Sequence, residues 1–435
     1  MPTNPFTYGN PISGPARFFG RKREVEQIVS RLRNDEFESS SIVGDRRIGK
    51  TSLLLHLADT DVRRLHGLDE PTYTFVYVDL QIVDERVTPE RLWRHLLEQL
   101  RRRSSDDQVG EIISATVAGE GLDTFVLDEV FEALDDRRLH TVFLLDEFEH
   151  VTQNRNFGAD FFYALRALAI HHNLALVTSS RRELIDLCHS DQIRSSPFFN
   201  IFAQVSVRLF SRDEAERFIT ESLAGTGIEF AEEEKETIFD IAGYHPYFLQ
   251  AACHFLFDAY TRQVDEAERR RVLVARFCEE AEPHLSDYWR NSDDSEKIVL
   301  TAIALLERNG KTDARSFRVD QLQDLYSRSE HTLSRLERRG LLLSRPHGYA
   351  LFSASLSDWI IEEITAAVTE QQSYDEWLAS HGTAVERLTS GARKELAQIL
   401  PKVGSRYREL FVAWMSDPRN VIPVATLFRS AMGIG

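Results

Sequence analysis

The sequence is poor in cysteine and contains no long apolar run. Its three cysteines, Cys188, Cys253 and Cys278, are spread over 435 residues, so neither a disulfide framework nor a zinc site is indicated. Apolar runs such as TVFLLD and LALV are far shorter than the roughly 20 residues of a membrane-spanning helix. The N-terminal MPTNPFTYGNP carries no apolar signal segment. These absences predict a cytoplasmic protein.

Basic residues are also in the minority. The chain has 52 Lys and Arg against 69 Asp and Glu, a net charge of −17, which opposes non-specific attraction to nucleic acid or to anionic membranes. Hydrophobic residues make up 42% and charged residues 28% of the chain, as in soluble globular proteins. At about 100–200 residues per domain, the length predicts two to four domains.

The segment SSIVGDRRIGKTSLLLHL contains the pattern G-x-x-x-x-G-K-[ST] between a β-prone run and a helix-prone run. That order of strand, loop and helix is typical of a P-loop, which holds phosphates on main-chain N–H groups at a helix start. Lys50 is predicted to contact the β- and γ-phosphates, and the Thr51 hydroxyl to bind Mg²⁺. The predicted nucleotide-binding residues of this segment are Gly44, Arg47, Ile48, Gly49, Lys50, Thr51 and Ser52.

Strand-like and helix-like segments alternate up to about residue 210, a pattern that predicts an α/β fold with a parallel sheet and flanking helices. The predicted strands are Ser40 to Val43, Thr74 to Asp79, Thr141 to Leu145, Leu174 to Thr178 and Val205 to Leu209. Thr88 and Pro89 form a helix start signal ahead of ERLWRHLLEQL. The sequence therefore predicts a P-loop NTPase core over residues 18–210, preceded by an extended arm over residues 1–17.

Helical patterns replace this alternation after Phe210. Ser211 and Glu214 form a capping-box pattern, and residues 211–290 are predicted to form a helical lid. Residues 291–365 show the order helix, helix, turn, helix and two-stranded wing that is typical of a winged helix. Residues 366–435 are predicted to be a helical C-terminal region with no recognisable motif.

Two acidic residues follow the buried strand TVFLL. Asp146 and Glu147 are predicted to lie at its carboxyl end, the edge at which open α/β sheets bind ligands. Asp146 is the candidate Mg²⁺ ligand, and Glu147 is the candidate catalytic residue that orients or deprotonates water. Glu149 is interpreted as solvated or bridging, and catalytic involvement is the alternative. The strand that follows ends in TSSRR, and Arg181 is predicted to contact the γ-phosphate, while Ser180 as a helix cap is the alternative.

These motifs, in the order FFGRKREVEQI, P-loop, LLDE, TSSR and GYHPYFLQ, resemble the AAA+-related P-loop ATPases of the STAND and archaeal-ATPase type. The resemblance covers about residues 1 to 360. It implies that Phe19, Gly20 and Arg21 lie beside the adenine and ribose, and that Pro246 packs on the base from the lid. Pro5, Phe6 and Tyr8 either cover the adenine or form a surface strap.

We therefore expect a Mg²⁺-dependent ATPase of slow turnover that binds ATP and ADP and acts as a molecular switch. Nucleotide state is expected to control domain arrangement, homo-oligomerisation and recruitment of a protein partner, and the resemblance implies a place in prokaryotic signalling or defence. Arg155 and Arg166 are the candidates for an arginine acting in trans.

Two alternatives remain open. One is a DNA-binding ATPase, similar to initiator or transposition-associated relatives, whose winged-helix arginines contact phosphates. Those arginines are Arg328, Arg335, Arg338, Arg339 and Arg345. The other is a nucleotide-binding scaffold with negligible turnover.

Overall fold

The computed structural model describes residues 2–119, 121–194, 197–308, 329–345 and 348–370. It divides into two compact units. The core unit is Pro11–Arg208, and the helical unit combines Met1–Asn10 with Leu209–Gly435. Among the described residues, no helix is both long and apolar enough to span a membrane.

A five-stranded parallel sheet forms the centre of the core unit. Its strands are β1 (Ser39–Val43), β2 (Tyr73–Asp79), β3 (His140–Asp146), β4 (Leu174–Ser180) and β5 (Phe202–Ser206), in the order β2-β3-β4-β1-β5. Because all strands are parallel, their carboxyl ends meet at one edge of the sheet. The predicted α/β class is confirmed, although the fifth strand begins three residues earlier than predicted.

Helices flank this sheet. Because they cover its faces, its strands consist largely of apolar residues. β3 and β4 are buried along almost their whole length, as expected for strands covered on both faces. The helices of this unit are α1 (Lys22–Leu32), α2 (Lys50–Ala58), α3 (Thr60–Leu65), α4 (Pro89–Arg103), α5 (Asp107–Ala118), α6 (Thr124–Asp135), α7 (Glu149–Thr152), α8 (Ala159–His171) and α9 (Asp191–Arg194). The predicted helix start is confirmed, because the Thr88 hydroxyl accepts a hydrogen bond from the Arg91 main chain at 3.3 Å.

The helical unit begins its second segment with a capping box. The Ser211 hydroxyl accepts from the Glu214 N–H at 3.2 Å, and the Glu214 carboxylate accepts from the Ser211 N–H at 2.8 Å. The elements that follow are α10 (Arg212–Leu223), α11 (Glu232–Ala242), α12 (Pro246–Thr261), α13 (Glu266–Arg290), α14 (Asp294–Arg308), α15 (Ser329–Arg338), β6 (Leu342–Arg345), β7 (Gly348–Leu351) and α16 (Ala354–Glu370).

Part of the predicted winged helix lies in this unit. α14 and α15 correspond to its first and third helices, and β6 and β7 form the antiparallel wing. The segment VDQLQDLY, predicted as its second helix, lies outside the described residues, as do residues 371–435 of the predicted C-terminal region.

Gly243 in the predicted lid packs against Phe352, which directly follows the second strand of the predicted wing. Its φ is +60°, and a Cβ at this position would lie 1.9 Å from the Phe352 carbonyl oxygen. The ring of Phe352 also stacks on Phe248, with centroids 5.6 Å apart. The lid and the wing therefore share packing within one unit, and the predicted boundary between them stays a prediction.

The N-terminal arm contributes to the core of the helical unit. Phe6 is fully buried, and its ring lies 5.6 Å from Phe218 and 5.9 Å from Phe230. Asn4 donates to the Asp258 carboxylate at 2.7 Å. This burial favours the strap interpretation of the arm over the interpretation in which Phe6 covers adenine.

Candidate functional site

The predicted P-loop connects β1 to α2. A Cβ on Gly44 would lie 2.8 Å from Ile48 Cγ2 and 2.9 Å from the Val207 carbonyl oxygen, so this position requires glycine. Gly49 has a φ of +104° and ends the loop. Within the described core unit, no side chain caps α2. The first N–H groups of α2 are therefore suited to an anion.

Lys50 is buried beside this loop. Its Nζ donates to the Asp45 carbonyl oxygen at 3.2 Å and lies 3.9 Å from Glu147 Oε1. The helix that carries Lys50 continues with Thr51 and Ser52, both half-buried. The Ser52 hydroxyl accepts from the Ile12 N–H at 3.0 Å. Lys50 thus links the P-loop to the acidic residues after β3.

Asp146 is buried at the carboxyl end of β3 and is held by two hydroxyl groups. Tyr77 on β2 donates to Oδ2 at 3.0 Å, and Ser179 on β4 donates to Oδ1. Burial, reinforced by the charge and the hydrogen bond of Asp146, raises the pKa of Tyr77, so its hydroxyl keeps its proton. The carboxylate of Asp146 is therefore fixed in direction.

Glu147 follows in the left-handed region, with a φ of +53°. Its N–H approaches the Ser179 hydroxyl oxygen at 3.1 Å and Asp146 Oδ1 at 3.2 Å. Left-handed backbone costs a non-glycine residue about 1–2 kcal/mol, and such strain concentrates at functional sites. The turn places the Glu147 carboxylate between Lys50 and Arg181, whose Nε lies 3.9 Å from Glu147 Oε2.

Glu149 and Arg181 complete this cluster. Glu149 Oε1 accepts from the Arg181 N–H at 3.3 Å and lies 3.5 Å from Arg181 Nε. Burial, reinforced by the charge of Glu147, raises the pKa of Glu149. Among the sequence interpretations of Glu149, bridging agrees with the contact to Arg181 and solvation is wrong, because this carboxyl group is buried; catalytic involvement stays a prediction.

The FFGR segment supports the P-loop from its other side. Gly20 and Arg21 both have positive φ, +66° and +65°. The buried Arg21 guanidinium donates to the Ile48 carbonyl oxygen at 2.9 Å and also to the Arg208 carbonyl oxygen. Phe19 is half-buried. Arg21 thus stabilises the loop, and contact of Phe19, Gly20 and Arg21 with a nucleotide stays a prediction.

The remaining predicted residues belong to other elements. Pro246 is the first residue of α12 in the helical unit, and its contact with a base stays a prediction. Arg155 is exposed in the turn after α7, and Arg166 is half-buried in α8. Their role in trans also stays a prediction. The sequence analysis did not select Tyr77, although a tyrosine two residues before the end of a strand beside β3 is the signal that indicates it.

The donor set suits Mg²⁺. The Thr51 hydroxyl and the buried Asp146 carboxylate are hard oxygen ligands, and protein sites for Mg²⁺ use few such ligands because phosphates and waters supply the rest. Among the described residues there is no cluster of three or more His, Cys, Asp or Glu that could hold a metal. Thr51 and Asp146 are thus the residues of this site that could hold Mg²⁺.

Comparison with known proteins places this site in a family. A family model described as Novel STAND NTPase 2 matches residues 30–305. A search of the curated proteins found no match.

Two solved structures share the fold. A Walker-type ATPase of Pyrococcus abyssi is 19% identical with a TM-score of 0.51, covering 81% of this chain and 98% of its own. The ORC2 protein of Aeropyrum pernix, solved as ADPNP and ADP complexes, is 14% identical with a TM-score of 0.53, covering 84% of this chain and 98% of its own. Since the family model spans more than half of the chain, from before the P-loop to α14, the chain belongs to the Novel STAND NTPase 2 family and is a P-loop NTPase of the STAND type.

Proposed function

We propose that this chain binds ATP with Mg²⁺ at the carboxyl edge of the core sheet and hydrolyses it slowly. The observation that carries the proposal is the convergence of Lys50, Asp146, Glu147 and Arg181 beside an uncapped helix start. Two cations, a fixed carboxylate and a second carboxylate are the groups that phosphoryl transfer to water requires.

Each residue has a distinct role in this proposal. The N–H groups of the P-loop and the Lys50 ammonium hold the β- and γ-phosphates, and Thr51 and Asp146 hold the metal. When bound, Mg²⁺ neutralises charge on the phosphate oxygens. Glu147 orients the attacking water and accepts its proton, while Arg181 contacts the γ-phosphate.

Slow turnover follows from the position of Glu147. Its carboxylate lies 3.9 Å from both Lys50 Nζ and Arg181 Nε. In this proposal the Lys50 ammonium turns toward the phosphates before the carboxylate is released to act on water. This rearrangement precedes chemistry and limits its rate.

The nucleotide state is proposed to act as a switch. A ligand shifts an equilibrium between two arrangements only by its difference in affinity for them, and the γ-phosphate is the chemical difference between ATP and ADP. In this proposal ATP favours an arrangement of the domains that forms a homo-oligomer or recruits a protein partner. The family membership supports this proposal, and a role in prokaryotic signalling or defence extends it.

The DNA-binding alternative has less support. Arg335 lies 3.0 Å from Glu296 Oε1, and the buried Arg339 donates to Glu296 Oε2 at 2.6 Å. Arg335 also pairs with Asp293. Two of the five arginines proposed to contact phosphate are thus neutralised within the helical unit, and Arg328 lies outside the described residues.

Nucleotide binding by the purified chain tests the proposal. We expect ATP·Mg²⁺ and ADP·Mg²⁺ to bind in a calorimetric titration and the Lys50→Ala variant to bind neither. The matched control is Lys22→Ala, since the Lys22 side chain is 89% exposed and pairs only loosely with Glu26, at 3.8 Å. Equal binding by wild type and Lys50→Ala would refute the proposed site.

A further inference from the structure

Glu149 contacts Arg181 at two points. Its Oε1 accepts the main-chain N–H of Arg181 at 3.3 Å and lies 3.5 Å from Nε of the same residue. Arg181 is the first residue after β4, and Glu149 is the first residue of α7. The carboxylate therefore joins the ends of two neighbouring strands and sets the direction in which the Arg181 side chain leaves the sheet.

The carboxyl group of Glu149 is buried, which is unfavourable unless its oxygens find partners. Glu149 Oε2 is buried and has no hydrogen-bond partner among the described residues. A buried carboxyl group with one unsatisfied oxygen destabilises a protein unless a nearby cation compensates. Arg181 is the cation in contact with this carboxylate, with Nε 3.5 Å from Oε1, and the charge of Lys50 also acts on Glu149.

The Nε atom of Arg181 lies between two carboxylates. Nε is buried and makes no hydrogen bond within the described residues, but it forms ion pairs with Glu149 Oε1 at 3.5 Å and Glu147 Oε2 at 3.9 Å. The Arg181 side chain is nevertheless 27% exposed, and within the described part of the chain its Nη atoms donate to no acceptor. Nη atoms are the pair that contact phosphate oxygens in bidentate recognition.

We propose that Glu149 is a positioning residue that holds the Nε edge of Arg181 so that the Nη edge faces the γ-phosphate. The proposal rests on the proposed function, since it requires ATP at this site. Glu149 itself does not contact the nucleotide. The preference for ATP over ADP depends on it nevertheless, because only ATP carries the phosphate that Arg181 reaches.

The test measures the Kd of a non-hydrolysable ATP analogue and of ADP, both with Mg²⁺, on the full chain. Arg181→Ala and Glu149→Ala are each expected to lower the ratio of ATP-analogue affinity to ADP affinity by about 10- to 100-fold, the range for a hydrogen bond to a charged group. The Kd for ADP stays unchanged in both. In the double variant the ratio of ATP-analogue affinity to ADP affinity is no lower than in either single variant, because the two side chains act as one unit.

Conservative and control variants separate positioning from general loss of structure. Glu149→Gln retains most of the preference for ATP, since its amide oxygen still accepts from the Arg181 main-chain N–H. Asp186→Ala removes an exposed negative charge five residues after Arg181 and leaves the preference unchanged. Thermal unfolding checks that each variant folds. If Glu149→Ala does not fold, Glu149→Asp, which withdraws the carboxylate by one methylene, is measured with the same expected loss.

Three results would overturn the inference while nucleotide binding stands. The first is an unchanged ratio in Glu149→Ala when Arg181→Ala lowers it. The second is an equal loss of ATP-analogue and ADP affinity in Glu149→Ala, and the third is an unchanged ratio in Arg181→Ala. Absence of binding of either nucleotide by the wild type would instead refute the proposed function, and the inference with it.

Discussion

Tyr77 on β2 donates its hydroxyl hydrogen to Asp146 on the neighbouring strand β3 at 3.0 Å. Ser179 on β4 donates to the other carboxylate oxygen. Both oxygens of Asp146 therefore each accept a hydrogen bond from a hydroxyl group on a neighbouring strand. Their remaining lone pairs point in directions that the protein has fixed before any ligand arrives. Asp146 is therefore a buried, oriented carboxylate rather than a solvated acid at the end of a strand, and its role as a metal ligand stays a prediction.

Replacing Tyr77 with Phe is expected to weaken metal-dependent nucleotide binding. Loss of one hydrogen bond to a buried carboxylate corresponds to about 1.5–3 kcal/mol, or roughly 10- to 100-fold in affinity for ATP·Mg²⁺. Binding measured in the presence of EDTA is expected not to change. The control is Tyr73→Phe on the same strand, and an equal loss with and without Mg²⁺ would contradict the role given to Tyr77.

Gly44→Ala is expected to prevent phosphate binding and to destabilise the core unit. The added Cβ would lie 2.9 Å from a backbone oxygen of Val207, and overpacking of this kind costs about 1–3 kcal/mol. Urea unfolding measures the change. Gly158→Ala is the control, because a Cβ there meets nothing within 4 Å and its φ is −80°. Equal stability of the two variants would contradict the close packing of the loop.

His172 is expected to make the stability of the core unit depend on pH. Burial lowers the pKa of His172, but hydrogen bonds to Asp128 and Asp135, at 2.8 Å and 2.7 Å, raise it by more, so its pKa lies above the ordinary value. A raised folded-state pKa stabilises the protein fully below the unfolded pKa of about 6.5, and this contribution is lost as the pH rises through the folded pKa.

The measurement for His172 is the free energy of unfolding from about pH 5.5 to pH 9, a window that spans the ordinary and raised pKa. The difference between wild type and His172→Gln isolates this residue from the other titrating groups. We expect the free energy of unfolding of the wild type to exceed that of His172→Gln at low pH, and this difference to decrease as the pH rises. A difference that is constant over the whole range would show that His172 does not titrate in this window.

Glu296→Ala is expected to destabilise the helical unit strongly. Glu296 is fully buried and pairs with the buried Arg339. Removing one member of such a pair leaves an uncompensated buried charge and costs about 3–5 kcal/mol. Arg345→Ala, at an exposed position in the wing, is expected to be neutral. Chemical denaturation of both variants checks this, and a stable Glu296→Ala variant would leave Arg339 available for phosphate contact.

Much of the core unit, and the first helix start after Leu209 in the helical unit, were predictable from sequence because their signals are local. Buried parallel strands are continuous apolar runs, and Thr88 with Pro89 or Ser211 with Glu214 act within one helical turn. The P-loop glycines were likewise predictable, since a positive φ at Gly49 and a close approach at Gly44 follow from the loop itself.

What sequence reasoning missed depends on contacts between distant residues. The sequence left Glu149 as either solvated or bridging, and its partner is visible only because the end of β4 places Arg181 against it. Tyr77 is one polar aromatic in an apolar strand, and its function is visible only from the register of β2 with β3. Arg339 belongs to a basic helix face in the sequence, whereas Glu296, 43 residues earlier, converts it into a buried ion pair.

The central claim is that nucleotide state switches the assembly of this NTPase. Size-exclusion chromatography with light scattering on the Glu147→Gln variant, which is expected to bind ATP without rapid turnover, tests it most directly. The runs compare ATP·Mg²⁺, ADP·Mg²⁺ and no nucleotide at the same protein concentration. We predict a larger mass with ATP·Mg²⁺ alone, and the same mass under all three conditions would contradict the claim.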